Sequence, residues 1–165
     1  MDATHRHLLI ERLGTLLAER RLLLGTAESC TGGLIAAACT DVSGSSAWFA
    51  GGIVAYANAV KENVLRVPRS ILDTHGAVSE QTVRAMTQGA CAVLGTDMAI
   101  AVSGVAGPTG GSPEKPVGTV WLAATLRGTI ITQRHHFSGP RHAVREQTVL
   151  ASIPMLLDLL ESAYR

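Results

Sequence analysis

The sequence predicts a layered α/β domain with a mostly parallel sheet and an added antiparallel hairpin. Three observations carry this. Near-continuous apolar runs of strand length stand at 22–27, 51–57 and 97–107, as expected for strands buried on both faces. Segments of helical spacing separate them, the βαβ alternation of a parallel sheet. Two further strand-like runs, 118–126 and 129–137, flank Arg127-Gly128, a good hairpin turn.

The chain opens with a helix from His5 to Arg20, in which Leu9, Leu13, Leu16 and Leu17 repeat at helical spacing with charges between them. "LLLGTA" (22–27) is the first strand. A helix of small residues runs from Gly32 to Thr40, and "SGSSAW" (43–48) breaks it. "GGIVAYA" (51–57) is the second strand, and Asn58 is placed to cap a helix from Ala59 to Leu65. Pro68 and "THGAVSE" interrupt, then Ser79 caps a helix from Glu80 to Leu94. "DMAIAVSGVAG" (97–107) is the third strand and feeds a glycine-rich loop. After the hairpin, a helix from Arg141 to Glu161 carries Pro154, whose missing N–H disturbs its bonding. No linker, repeat or low-complexity segment divides the 165 residues, so one domain is expected.

Composition narrows the function. A net charge of +1 gives no electrostatic footprint for nucleic acid or an anionic membrane surface. No stretch has the apolar length of a membrane span, and the N-terminus has charges where a signal peptide is apolar. Cys30, Cys39 and Cys91 are odd in number and lie outside metal-ligand spacing, which fits a reduced, cytoplasmic location.

Three polar segments follow the first three strands: "AESCTGG", "YANAVK" and "SGVAGPTGGSPEKP". Ligands of open α/β sheets bind beyond the carboxyl ends of the strands, where such loops gather. Ser29 stands beside a helix start, and the N–H groups of Cys30, Thr31, Gly32 and Gly33 there favour negative charge. A serine attacking a carbonyl produces an oxyanion that such N–H groups stabilise. Taken alone, the motif reads first as a turn in which Ser29 or Thr31 caps the helix, and Cys30 is a rival nucleophile.

A serine needs a base, and the six histidines at 5, 7, 75, 135, 136 and 142 offer no convincing one. The chain uses arginine throughout and has only two lysines, Lys61 and Lys115, both in these candidate segments. Arginine keeps its proton at physiological pH, whereas a desolvated lysine can titrate near neutrality. Tyr56 at a strand end and Lys61 in the next helix would complete a Ser–Lys–Tyr group. The spacing is not Ser-x-x-Lys, so the lysine must come from a separate element. The third segment fits neither common phosphate-loop pattern, and by pattern alone it is a ligand loop of unknown ligand.

"TAESCTGG", "GSSAWFAGGIVAYANAVK", "HGAVSE", "VSGVAGPTGGSPEKPVGTVW" and the arginines near the end resemble, in order over about residues 8–160, the CinA C-terminal domain family, the nicotinamide-nucleotide amidohydrolases also called PncC. The resemblance implies a three-layer α/β/α sandwich, no metal or cofactor, and a homodimer. It also implies hydrolysis of the carboxamide of nicotinamide mononucleotide to nicotinic acid mononucleotide and ammonia, a step in pyridine nucleotide recycling. The family's catalytic serine, tyrosine and lysine fall on Ser29, Tyr56 and Lys61. Its ligand loop falls on Ser103, Gly104, Gly107, Thr109, Gly110, Gly111 and Lys115. Arg145, and less firmly Arg141, are assigned to the ribose phosphate. Ala57 replaces a small hydroxyl residue common there. Many members carry an additional N-terminal domain for which 165 residues leave no room, so the stand-alone form is expected. The alternative is a nucleotide-binding or regulatory module of this fold with weak turnover.

Overall fold

The computed structural model describes residues 3–165. The elements run α1 (Ala3–Glu19), β1 (Leu24–Glu28), α2 (Leu34–Thr40), a 3-10 turn (Ser45–Ala47), β2 (Phe49–Val54), α3 (Asn58–Asn63), α4 (Arg69–His75), α5 (Glu80–Leu94), β3 (Met98–Gly104), β4 (Thr119–Leu126), β5 (Thr129–His136) and α6 (Arg141–Ser162). The five strands form one sheet in the order β2-β1-β3-β4-β5. β1 is parallel to both β2 and β3, whereas β4 is antiparallel to β3 and β5. β1, β2 and β3 therefore end at one edge of the sheet.

Strand periodicity sorts the side chains into two cores. Met98, Ile100 and Val102 of β3 join Leu24, Leu122, the α1 residues Ile10, Leu13 and Leu17, and the inner face of α6. The alternate residues Ala99 and Ala101, with Ala27 and Ala123, join Leu65, Leu72, Val83 and Met86 on the α4–α5 side. This is the period of two that places successive side chains on opposite faces. Helices cover both, which makes the three-layer α/β/α arrangement.

The second face is lined with alanine, and the helix upon it comes close. A Cβ built on Gly89 of α5 would lie 1.9 Å from the Leu65 carbonyl oxygen. That contact ties α5 to the segment just after α3.

Several boundaries differ from the sequence reading. β1 is displaced toward Glu28, because Leu24 N–H bonds Trp48 O and the ladder continues through Ser29 N–H to Val102 O at 3.0 Å. α2 begins at Leu34, since Gly32 and Gly33 hold positive φ of 61° and 100°. Asn58 is the first residue of α3 and Ala57 its cap, with no side-chain bond. The segment after Pro68, read as an interruption, forms α4 with Pro68 at its start, where a missing N–H costs nothing. Ser79 caps α5 as expected, accepting from Thr82 N–H. α6 continues through Pro154. Among the described residues no helix is long and apolar enough to cross a membrane.

Gly89→Ala is expected to destabilise the fold by about 1–3 kcal/mol, the usual cost of overpacking. Urea denaturation measures this, and an unchanged midpoint would mean that α5 does not pack against Leu65 as described.

Candidate active site

Ser29 follows the last residue of β1, and Lys61 projects from α3, which follows β2. Lys61 Nζ lies 3.1 Å from Ser29 Oγ, 2.8 Å from the Ala55 carbonyl and 3.1 Å from the Tyr56 carbonyl. Sheet pairing fixes both partners. Ala55 N–H donates to Glu28 O at 2.8 Å, so the acceptor of Lys61 is stitched to the residue before Ser29.

Lys61 is 1% exposed and Ser29 8%. Burial lowers the Lys61 pKa from its ordinary 10.5, because desolvation penalises the charged form. Nζ donates to all three partners. When the amine is neutral, two N–H groups keep the carbonyls and the lone pair can take the Ser29 hydroxyl proton. Burial acts oppositely on the neighbouring thiols: Cys30 is pushed up to about 11 and Cys39 to about 12. A thiol in that range holds almost no thiolate near neutral pH. Burial thus removes the thiol's usual advantage, and the Lys61 Nζ contact falls on Ser29 Oγ, which favours Ser29 over Cys30.

A cavity of about 220 Å³ opens onto this pair, lined also by Cys30, Tyr56, Asn58, Ala77, Val78, Ser103, Gly104, Ala106 and Arg141. No histidine lines it. An adjoining cavity of about 280 Å³ shares Val78 with it and holds Lys115, Trp121, Glu80, Glu114 and Arg134.

Glu28, which sequence reasoning missed, organises the turn. Its carboxylate is 1% exposed and accepts from Gly33 N–H (3.0 Å), Ile35 N–H (3.1 Å), Ala36 N–H (2.8 Å) and the Thr26 hydroxyl (3.2 Å). It caps α2 from the end of the preceding strand, and the helix dipole favours its charge there. An acidic residue at the end of an otherwise apolar buried strand was the available signal.

This arrangement corrects four expectations. Gly33 N–H is taken by Glu28, and Gly32 N–H bonds Ser29 O at 3.1 Å, so neither is free for an oxyanion. Among the described residues, the N–H groups of Cys30 and Thr31 bond no backbone carbonyl, and that of Cys30 faces its own thiol. Thr31 caps nothing, and its buried hydroxyl has no hydrogen-bond partner. The Tyr56 phenol points away from Lys61: it is 59% exposed, and its hydroxyl accepts from Arg141 Nη2 at 2.9 Å. Arg145, expected at a phosphate, instead donates to the Cys30 carbonyl (3.1 Å) and the Thr31 carbonyl (2.7 Å).

The glycine-rich loop splits in two. Ser103 and Gly104 line the Ser29 cavity, and the Gly107 carbonyl accepts from Arg141 Nη1 at 2.9 Å. Thr109, Gly110 and Gly111 are exposed and line neither cavity. Lys115 donates to the His75 carbonyl at 2.7 Å and faces the adjoining cavity.

Comparison with known proteins fits this geometry. The chain is 53% identical to the nicotinamide-nucleotide amidohydrolase PncC of Pseudomonas putida, over 92% of its own length and 94% of that protein's. It is 48% identical to the protein of the same name from Enterobacter agglomerans, over 95% and 96% of the two lengths. The fold superposes on a crystal structure of a competence-damaged protein (CinA) superfamily member from Klebsiella pneumoniae with a TM-score of 0.91 and 42% identity, covering 95% of this chain and 98% of that one. Residues 6–160 match the CinA C-terminal domain, and the chain belongs to that family.

Proposed function

We propose that the protein hydrolyses the carboxamide of nicotinamide mononucleotide, giving nicotinic acid mononucleotide and ammonia, with Ser29 as nucleophile and Lys61 as its base. The observation that carries this is the 3.1 Å contact between a serine hydroxyl and a desolvated lysine amine in a cavity. Relatives named for that activity, about half identical over nearly the whole chain, support the choice of substrate.

In this scheme Ser29 Oγ attacks the amide carbon and its proton passes to Lys61 Nζ. The carbonyl oxygen becomes an oxyanion, for which the N–H groups of Cys30 and Thr31, neither bonded to a carbonyl among the described residues, are the available donors on this turn. Collapse breaks the C–N bond, and the ammonium of Lys61 returns its proton to the departing ammonia. Water then attacks the ester, with Lys61 again taking a proton, and Ser29 is released with the carboxylic acid. Tyr56 walls the cavity mouth and steadies Arg141, and no proton passes through its phenol. Arg141 supplies positive charge at that mouth for the phosphate, flanked by Ser103, Gly104 and Gly107.

Ammonia release from nicotinamide mononucleotide is expected in wild type, to be abolished in Ser29→Ala and retained in Cys30→Ala. Full activity in Ser29→Ala would sink the scheme, and binding without ammonia release by wild type would indicate a binding module instead. Lys61→Arg is expected to be nearly as damaging as Lys61→Ala, since arginine keeps its proton. A near-wild-type rate in Lys61→Arg would remove the base assignment.

Stability offers an independent check on Lys61. Its folded pKa lies below the unfolded value, so the unfolded chain binds the extra proton between the two. Wild type should therefore gain stability relative to Lys61→Met as pH rises from the lowered pKa toward 10.5, with a constant difference below that window. Urea denaturation across pH reads the slope, and a flat difference throughout would show that Lys61 is not desolvated.

A further inference from the structure

We infer that Arg145 is a positioning residue for the Ser29 turn, orienting the oxyanion-facing peptides, and not a ligand of the substrate's phosphate. The inference rests on the amidohydrolase reading above and assigns a second component to the same site.

Arg145 comes from the second turn of α6, more than a hundred residues from the turn it holds. Its Nε donates to Cys30 O and its Nη2 to Thr31 O, so one planar guanidinium spans two consecutive peptides directly after the nucleophile. Gly32 lies against it, its α-carbon placed so that a Cβ would stand at contact distance, 3.4 Å, from Arg145 Nη2, and its φ of 61° is one that favours glycine. Arg145 is absent from the lining of the cavity that holds Ser29 and Lys61, where Arg141 is the arginine.

Peptide geometry gives this contact its consequence. In a trans peptide the N–H lies opposite the C=O. Holding Cys30 O toward the guanidinium turns Thr31 N–H away from it, and holding Thr31 O turns Gly32 N–H away. The second of these is seen to reach Ser29 O. The first has no backbone acceptor, and the positive charge on its carbonyl polarises it as a donor. Glu28 grips the next stretch from the opposite chemistry, taking the N–H groups of Gly33, Ile35 and Ala36. Carbonyls held by a cation and N–H groups held by an anion leave the turn around Ser29 a single arrangement.

The test compares nicotinamide mononucleotide with nicotinamide riboside, which lacks the phosphate, in wild type, Arg145→Ala and Arg145→Lys. Loss of one oxyanion donor costs about 100- to 1,000-fold in kcat. An indirect effect through Arg145 is expected to be smaller, about 10- to 100-fold in Arg145→Ala. That loss should fall on kcat with KM for the nucleotide within about twofold, and by the same factor on the riboside. Arg145→Lys, which reaches one carbonyl, should lose less. Millimolar guanidinium should restore part of the Arg145→Ala rate. Thermal melting of each variant identifies a protein that fails to fold, in which case the Arg145→Lys comparison decides. A rise in KM confined to the nucleotide, with the riboside unaffected, would overturn the inference and make Arg145 a phosphate ligand. Unchanged kcat in a folded Arg145→Ala would overturn it too. Wild type that releases no ammonia would instead remove the amidohydrolase reading itself.

Discussion

Everything at this site depends on taking one lysine amine out of water without giving it a counter-ion. Lys61 is 1% exposed, and its hydrogen-bond partners are two backbone carbonyls and one hydroxyl. A carboxylate partner would have held the proton on the amine, because an opposite charge favours the charged form. Carbonyls satisfy its N–H groups without that effect. The sheet makes this affordable, since Ala55 and Ser29 sit on adjacent strand ends already bonded through Glu28 O and Val102 O. The proposed base and nucleophile are thus held side by side by the backbone ladder.

The same reasoning explains why charged residues elsewhere at the site have structural work. Glu28 and Arg145 do not pair with each other. Each neutralises backbone groups of the Ser29 turn, the carboxylate on N–H groups and the guanidinium on carbonyls. A buried carboxylate accepting several N–H bonds is well compensated, whereas an uncompensated one would be costly. The turn is consequently held from both sides, and in the proposed scheme Arg141, which lines the cavity, is the arginine left for the substrate.

Much of this was legible in the sequence, for identifiable reasons. Apolar strands, the Ser79 cap and the Arg127-Gly128 hairpin are local signals, and the structure has each of them. The scarcity of lysine singled out Lys61 by its chemistry. Tertiary placement was beyond reach. Glu28 caps N–H groups five to eight residues ahead of it, outside the three-residue spacing of a capping box. Arg145 looked like a phosphate ligand because nothing in its own helix shows that two carbonyls from β1's turn await it. Tyr56 lies beside Lys61 through its carbonyl, while its ring takes the opposite direction, a rotamer choice that sequence spacing does not encode. The segment 103–116 reads as one ligand segment, yet its own Ser112–Lys115 bonds and the Arg134–Glu114 contact hold part of it away from Ser29.

The central claim is that Lys61 is neutral at the pH where the protein works, and its lysine content permits a direct measurement. With only two lysines in the chain, ¹³Cε-lysine labelling gives two resonances, assigned by their loss in Lys61→Met. The Lys61 signal should titrate clearly below the ordinary lysine value of about 10.4. A Lys61 signal titrating at that ordinary value would contradict the account, because a lysine charged at neutral pH cannot take the proton of Ser29.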